Sequence, residues 1–454
     1  MLQHTVVHHG GHHTVTGSCH ELKWGASSLL IDCGLFQGNE RSEQSLEIDF
    51  SLDSVCGLVL THSHIDHLGR LPWLIAAGFR QPIYCTPATA ELVPLMLEDS
   101  LKLQTSLTAK QSSKVIDVIK QLMVPMEYGH WYSIDWFNHN SADIAYFNEW
   151  SVDLRFNPAG HILGSAFIEC RLPNEDIVVF SGDLGPTHTP LLPDPISPPR
   201  ADYLYIETTY GNKCHESVEQ RSMRLAMIID RSLADGGVIL IPAFSVGRTQ
   251  ELLFDIERLI HEHDLQPDIP IILDSPMASK VTESYRHFKM LWGKEAKNRL
   301  SQHRHPLAFE QCITIPDYAS HLKLVNRLAS TGEPAIVAAA SGMCEGGRII
   351  DYLKALLPDS RTDVIFAGYQ AVGTLGHELQ SGQGHVDIDG VQVEVNVHIH
   401  SMSGYSAHAD KEDLLRFIQG IKEKPKSIRL IHGVKTVQED FAQELKMLGY
   451  DVES

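Results

Sequence analysis

The chain has little of what marks a membrane or exported protein. Its longest apolar runs, such as residues 238–243 and 335–340, are far shorter than the ~20 residues of a membrane-spanning helix. Residues 1–4 show no basic stretch leading into a long apolar one, so no signal peptide is expected. The eight cysteines include no Cys-x-x-Cys pair, which argues against a cysteine zinc site. We therefore expect a cytoplasmic protein with reduced thiols and no membrane contact.

Positive charge is also scarce. There are 37 Lys and Arg against 57 Asp and Glu, a net charge of −20, which argues against a general electrostatic grip on nucleic acid. Residues 280–305 are a local exception, with seven basic and two acidic side chains. A solvated helix face is the simpler interpretation, and a basic groove is the alternative.

The chain has 454 residues, and for this length we expect two domains, or one domain with a large insertion.

Histidine, by contrast, is abundant, with 26 residues. The densest motif is His62-Ser63-His64-Ile65-Asp66-His67, which is separated from the apolar run at residues 58–60 only by Thr61. Imidazole and carboxylate are ligands of zinc and similar metals. His62 and His64 can converge on one ion while Asp66 and His67 serve a second, which indicates a hydrolase.

A second histidine-rich stretch spans residues 4–20. We give ordinary loop chemistry more weight here than proximity to the metals, and we expect short strands at 5–7 and 14–16.

The order of elements predicts a layered α/β protein. Short strands and helices alternate in the first half, and a proline-rich connection follows at residues 186–199. From about residue 208, repeated strand–helix units predict a largely parallel sheet, and the tail returns to the earlier style. Among the predicted elements are a helix at 68–77 and a strand at 391–400.

Several predicted strands end on a histidine or an aspartate. Each such residue alone is weak evidence, because a turn cap or an ordinary core histidine explains it. Together they complete a site for two ions: His62, His64 and His161 for the first, Asp66, His67 and His432 for the second, and Asp183 as the bridge. Asp32 is better placed as an acceptor that orients a ligand histidine.

The order of these residues resembles the metallo-β-lactamase superfamily. Residues 207–211 (ETTYG), 406–410 (SAHAD) and His432-Gly433 resemble motifs A, B and C of its β-CASP branch of RNA-processing nucleases. Residues 15–18, 241–250, 274–280, 341–348 and 368–376 resemble that branch too, so the resemblance covers nearly the whole chain.

The resemblance implies an αββα sandwich made of residues 1–207 and 392–454. A β-CASP α/β domain with a parallel sheet, residues 208–391, is inserted into it, and RNA lies in the cleft between them. The implied activity is a zinc-dependent ribonuclease with two Zn²⁺ ions, for which Mn²⁺ is an alternative. A metal-bridging hydroxide attacks phosphorus, and the products carry a 5′-phosphate and a 3′-hydroxyl.

The resemblance also implies residue roles. His408 is the general acid, Glu207 orients it, and Asp66 is counted with the catalytic residues as well as the ligands. Phosphate contacts are implied for a further set: Ser245, Arg248, Ser279, Ser341, Gly342 and Arg348. For Ser341 and Gly342 a plain turn before a helix has equal weight.

Substrate preference is left with alternatives. His432 at motif C favours RNA, whereas Val434 and the pair His12-His13 depart from the family pattern. The alternatives are a single-stranded DNA nuclease, a hydrolase of small esters or thioesters, and a non-catalytic RNA-binding subunit. Cleavage within the RNA or from its 5′ end stays open, as does a homodimer.

Overall fold

The computed structural model describes residues 4–38, 40, 46–134, 151–262, 269–368 and 370–453. The chain forms two compact units. The first unit comprises Met1–Thr187, Asp194–Cys214 and His408–Ser454, and the second comprises His188–Pro193 and His215–Ala407. The domain limits expected from the sequence, 207/208 and 391/392, stay predictions.

The described strands and helices alternate along the chain. The strands are β1 (Thr5–Gly10), β2 (Cys19–Trp24), β3 (Ser27–Ile31), β4 (Val55–Val59), β5 (Ile83–Cys85), β6 (Met123–Pro125), β7 (Trp131–Ile134), β8 (Val152–Pro158), β9 (Ala166–Arg171), β10 (Ile177–Phe180), β11 (Tyr203–Glu207), β12 (Val238–Pro242), β13 (Ile271–Asp274), β14 (Cys312–Thr314), β15 (Ala335–Ala339), β16 (Asp363–Phe366), β17 (His385–Ile388), β18 (Val391–Glu394), β19 (His398–Ser401), β20 (Ser427–Ile431) and β21 (Val452–Glu453). The helices are α1 (Ile65–Leu68), α2 (Leu71–Ala76), α3 (Pro87–Gln104), α4 (Ala109–Leu122), α5 (Val218–Asp235), α6 (Arg248–Glu262), α7 (Pro276–His287), α8 (Lys294–Ser301), α9 (Tyr318–Thr331), α10 (Ile349–Leu356), α11 (Leu375–Gln380), α12 (Lys411–Gln419) and α13 (Lys435–Met447).

The first unit is a four-layered sandwich. One sheet has the order β1-β2-β3-β4-β5-β6 and the other β21-β20-β11-β10-β9-β8-β7. Apolar side chains of both sheets, such as Ile31 and Phe156, form the core between them. Helices α2, α3 and α4 cover the outer face of the first sheet, with Leu97 in their core, and α12 and α13 cover the second sheet, with Phe417 in theirs. The predicted αββα architecture is confirmed.

The second unit is built on a parallel sheet of the order β14-β13-β15-β12-β16-β19. Every neighbouring pair in it runs parallel. All residues of β12 and β15 are buried, as expected for parallel strands covered on both faces. Helices α9 and α10 share one core with this sheet. The predicted inserted domain with a parallel sheet is confirmed.

Two local predictions near the N-terminus are wrong. Residues 14–16 form a bend, and the strand that follows β1 is β2, where Glu21 and Lys23 interrupt the apolar pattern. The single helix expected at 68–77 is divided into α1 and α2. Between them lies Arg70, whose buried side chain donates to the Gly34 carbonyl at 2.6 Å, so a tertiary contact ends the first helix.

The strand expected at residues 391–400 is also wrong as a single element. It divides into β18, which pairs with β17, and β19, which pairs with β16 in the parallel sheet. The proline-rich connection at 186–199 has no helix or strand, as predicted.

The basic segment at 280–305 contributes internal ion pairs. Arg299 and Arg304 both donate to the Glu257 carboxylate, at 3.0 and 2.9 Å, and Arg286 donates to the Leu307 carbonyl. Arg286 is exposed and Arg299 also makes an i,i+4 pair with Glu295 at 2.7 Å, as the interpretation as a solvated face with such pairs expects. The shared contact of Arg299 and Arg304 with Glu257 differs from that interpretation. Among the described helices, none is long and apolar enough to cross a membrane.

Candidate metal centre

All seven predicted ligands lie in the first unit and follow the ends of strands. His62 and His64 come after β4, and Asp66 and His67 lie in α1. The other three follow strands of the second sheet: His161 after β8, Asp183 after β10 and His432 after β20. Strands β10, β11 and β20 are parallel neighbours, so their carboxyl ends share one edge. Sheet order therefore brings together residues that are distant in sequence.

The first cluster contains His62, His64, His161 and Asp183, whose ligand atoms all lie within 4.8 Å of one another. The Nε2 atoms of His62 and His161 are 3.5 and 3.4 Å from Asp183 Oδ2. His161 Nε2 and His64 Nδ1 are 2.9 Å apart. These are the residues predicted for the first ion, together with the predicted bridge.

The second cluster contains Asp66, His67, His432 and again Asp183, within the same 4.8 Å limit. The Nε2 atoms of His67 and His432 are 3.2 and 3.5 Å from Asp183 Oδ1. Asp66 Oδ2 is 3.9 Å from His67 Nε2 and 4.0 Å from His432 Nε2. One carboxylate thus faces both clusters, with one oxygen toward each.

The inner atoms of these clusters fit a cation. Both oxygens of Asp183 and the Nε2 atoms of His62 and His67 are buried without a hydrogen bond of good geometry. Buried polar atoms without partners are costly, and metal coordination satisfies them. Histidine nitrogen and aspartate oxygen are also donors that zinc accepts. The donor set therefore fits one or two divalent ions.

The pKa values of the ligand side chains in the centre link metal binding to protonation. Burial lowers the pKa of His62 well below its ordinary value, which keeps the neutral form that binds metal. For His67 burial opposes protonation, but the carboxylates of Asp183 and Asp32 dominate and raise its pKa well above the ordinary value. Despite burial, His432 and His67 hold the pKa of Asp183 well below its usual range. Protons and metal cations therefore compete for the second cluster.

Asp32 lies behind His67. His67 Nδ1 donates to Asp32 Oδ2 at 2.7 Å, so Nε2 is the nitrogen directed to Asp183. The same carboxylate accepts from the backbone nitrogen and the hydroxyl of Thr61, both at 2.8 Å. Such a contact fixes the tautomer and the orientation of a ligand histidine.

Glu207 and His408 form a pair beside the clusters. His408 Nδ1 is 3.2 and 3.1 Å from the two oxygens of Glu207, and 3.8 Å from Asp183 Oδ2. Glu207 ends β11, is completely buried, and also accepts from the Leu184 backbone nitrogen at 2.7 Å. His408 is held beside it because the next residue, Ala409, donates its backbone N–H to the Leu184 carbonyl. The geometry suits a histidine oriented by a carboxylate.

Sequence reasoning missed several supporting contacts. Ser181 accepts from the Glu207 backbone nitrogen at 2.9 Å, and Thr61 holds Asp32. Thr61 directly precedes His62 and Ser181 lies two residues before Asp183, and this nearness in sequence was the available signal. The histidine-rich stretch also lies nearer the centre than expected, because the Gly11 carbonyl accepts from the His432 backbone nitrogen at 2.7 Å.

The residues predicted to contact phosphate lie in the second unit, mostly at the carboxyl edge of its parallel sheet. Ser245 follows β12, Ser279 is in α7, and Ser341 follows β15. Gly342 is required by packing, since a Cβ there would lie 2.4 Å from the Phe244 ring. Residues 341–347 form the turn before α10, as the simpler interpretation has it, and the phosphate contacts stay predictions.

The two predicted arginines differ in their surroundings. Arg248 begins α6, and its guanidinium lies over the Phe244 ring at 5.0 Å. Arg348 donates to Asp274 Oδ1 at 2.5 Å and to the Ile315 carbonyl at 2.9 Å. Arg348 thus pairs with a buried carboxylate and Arg248 packs on an aromatic ring, and the phosphate contacts of both stay predictions.

Comparison with known families divides the chain into three matched segments. Residues 16–216 match the metallo-beta-lactamase superfamily, residues 249–379 match the Beta-Casp domain, and residues 392–454 match the Zn-dependent metallo-hydrolase RNA specificity domain.

Similar proteins cover nearly the whole chain. Ribonuclease TTHA0252 of Thermus thermophilus is 35% identical over 94% of this chain and 93% of its own length. Transcription termination factor FttA of Methanosarcina mazei is 28% identical over 96% of this chain and 68% of its own length. The FttA of Thermococcus kodakarensis is 31% identical over 83% of this chain, which spans 57% of that protein.

Proposed function

Since this chain belongs to the metallo-β-lactamase superfamily and to its β-CASP branch of metal-dependent hydrolases, we propose that it is a ribonuclease. Its proposed reaction is hydrolysis of phosphodiester bonds in single-stranded RNA, leaving a 5′-phosphate and a 3′-hydroxyl. One observation carries the proposal: Asp183 presents one oxygen to each of two histidine clusters, with the Glu207–His408 pair beside them.

In this proposal the two clusters hold two zinc ions, with Mn²⁺ as the alternative. His62, His64 and His161 would hold one ion, Asp66, His67 and His432 would hold the other, and Asp183 would serve both. When bound, such ions supply an activated water and neutralise charge on the phosphoryl oxygens. Asp32 keeps His67 in the orientation that it needs.

His408 moves the proton. Its Nδ1 faces Glu207, so the Nε2 edge delivers a proton to the departing 3′-oxygen. The buried Glu207 carboxylate holds the imidazole plane and stabilises its protonated form. This arrangement separates ion binding from proton transfer, because His408 belongs to neither of the two clusters assigned to the ions.

RNA is the preferred substrate for two reasons. Residues 392–454 match a model described as an RNA specificity domain, and a relative over nearly the full length is named a ribonuclease. The convergence of all seven ligand side chains disfavours the non-catalytic subunit. The proposed phosphate contacts remain Ser245, Arg248, Ser279, Ser341, Gly342 and Arg348. The homodimer stays open, and a cytoplasmic location is supported by eight free thiols, all in described residues.

The test is cleavage of end-labelled RNA and of single-stranded DNA of matching sequence, with and without a chelator. We expect RNA to be cut, the chelator to stop it, and end mapping to give 5′-phosphate and 3′-hydroxyl. His408→Ala should retain metal and lose turnover, whereas His130→Ala, an exposed histidine of the same unit, should match wild type. Preferential cutting of DNA, or cutting that survives Asp183→Ala, would contradict the proposal.

A further inference from the structure

Strand β1 and the loop that follows it carry three stacked imidazole rings, His8 in the strand and His12 and His13 in the loop. The rings of His8 and His12 lie 4.3 Å apart, centroid to centroid, with 24° between their planes. The rings of His12 and His13 lie 3.8 Å apart with 23° between them. The stack runs from partly buried His8 to exposed His13, so its outer end meets solvent.

The stack is held in place before any ligand arrives. Gln438 of α13, which is 3% exposed, contacts His13 Nδ1 through Oε1 at 2.7 Å and donates from Nε2 to the His12 carbonyl at 2.5 Å. Burial lowers the pKa of His8 to about 3 and that of His12 to about 4, so both rings are neutral near pH 7 and stack without mutual repulsion. A ring fixed in this way loses little freedom when a planar ligand covers it.

The stack is also anchored beside the metal centre. The residue before His12 is Gly11, whose carbonyl accepts from the backbone nitrogen of His432 at 2.7 Å. Because consecutive Cα atoms are about 3.8 Å apart, His13 stays within two such steps of that contact. Gln438 lies in the segment that matches the RNA specificity domain.

We propose that His13, backed by His12 and His8, is a stacking platform for one base of the RNA, next to the phosphate that is cut. Histidine is one of the side chains on which unstacked RNA bases lie, and a base offers the π-face that the exposed ring matches. This subsite rests on the proposed ribonuclease function. It would make positions near the cut contribute to affinity without a strict sequence requirement, because every base can stack.

The platform is tested with short RNAs that carry 2-aminopurine, one position at a time, since stacking quenches its fluorescence. Stopped-flow mixing with excess protein separates the quench on binding from the slower cut. We expect wild type to quench one position near the cut. His13→Ala should lose that quench and bind about 5- to 150-fold more weakly, with a smaller effect on the rate at saturation. His13→Phe should restore both, and His130→Ala is the matched control.

The outcomes distinguish a failure of the stacking platform from a failure of the proposed ribonuclease function. Equal quench and affinity in wild type and His13→Ala, with RNA still cut, would overturn the platform and leave the ribonuclease intact. A His13-dependent quench on RNA that is bound but never cut would support the platform and overturn the ribonuclease. Neither quench nor cutting by wild type would overturn both.

Discussion

Replacing Glu207 by glutamine removes the charge that faces His408 and keeps the shape of the side chain. The glutamine oxygen can still accept from the Leu184 backbone nitrogen, which is 2.7 Å from Glu207 Oε1. Its NH₂ group then faces His408 Nδ1, which is itself a donor in the protonated form. The protonated imidazole therefore loses the nearer of its two acceptor oxygens, at 3.1 Å, and keeps at 3.2 Å only an amide oxygen without the negative charge.

A hydrogen bond to a charged partner contributes about 1.5–3 kcal/mol. If that bond acts fully in the step that transfers the proton, the rate falls by about 10- to 150-fold. Metal content should not change, because neither Glu207 nor His408 belongs to the two four-residue clusters centred on Asp183. The assay is single-turnover cleavage of end-labelled RNA at saturating protein, with metal measured in the same preparation.

Glu169→Gln is the matched control. Glu169 is also a buried carboxylate of the same sheet, and it accepts from Arg155 at 2.6 Å away from the clusters. This control should lower stability without lowering the rate per metal-loaded molecule. A Glu207→Gln rate within twofold of wild type would refute the orienting role. Loss of metal together with the rate would instead place Glu207 and His408 with Asp183 in a metal site, since these three also lie within 4.8 Å of one another.

Three further changes have defined outcomes. Asp183→Asn leaves each cluster without its shared charge, so elemental analysis should find little bound metal, and retained metal would count against the bridge. Asp32→Ala removes the acceptor behind His67, and metal affinity by competition with a chelator should fall about 10- to 100-fold; an unchanged affinity would contradict this. Burial raises the pKa of the Glu251 carboxyl from 4.5 to about 7. The folded state therefore binds the carboxyl proton more tightly than the unfolded state does. The stability that this proton contributes is lost as the pH rises from 4.5 to about 7. The urea midpoint of Glu251→Gln should therefore fall less than that of wild type from pH 5 to pH 8, whereas exposed Glu310→Gln should follow wild type.

Architecture was predictable because it depends on short-range patterns. Runs of buried β-branched residues such as those of β12 announce a parallel strand wherever they occur. The local errors arose where tertiary structure overrides the local pattern. Arg70 lies between two helices in the region where one helix was expected, 68–77, and strand β2 was missed because the buried Glu21 breaks its apolar pattern.

The ion-pair partners of the charged side chains could not be predicted from composition. The basic segment at 280–305 looked like a solvated face or a groove, yet Arg299 and Arg304 share one carboxylate, that of Glu257, from another helix. The pairing of Arg348 with Asp274 was likewise not predicted, and its phosphate contact stays a prediction. The sequence shows which side chains are charged, but the partner of each depends on which helices and strands become neighbours in the fold.

By itself the sequence determined the kinds of ligand and their place at strand ends, because the spacing within the motif from His62 to His67 is local and a strand end exposes its next side chains. Only the tertiary structure decided that His161, Asp183 and His432 meet them. That outcome follows from the order of strands β20, β11 and β10 in one sheet and from the packing of that sheet against another. The tertiary structure also decided that His12 and His13 lie beside the metal centre, because the backbone nitrogen of His432 donates to the carbonyl of Gly11. Contacts across hundreds of residues depend on sheet order and layer packing, which no local pattern encodes.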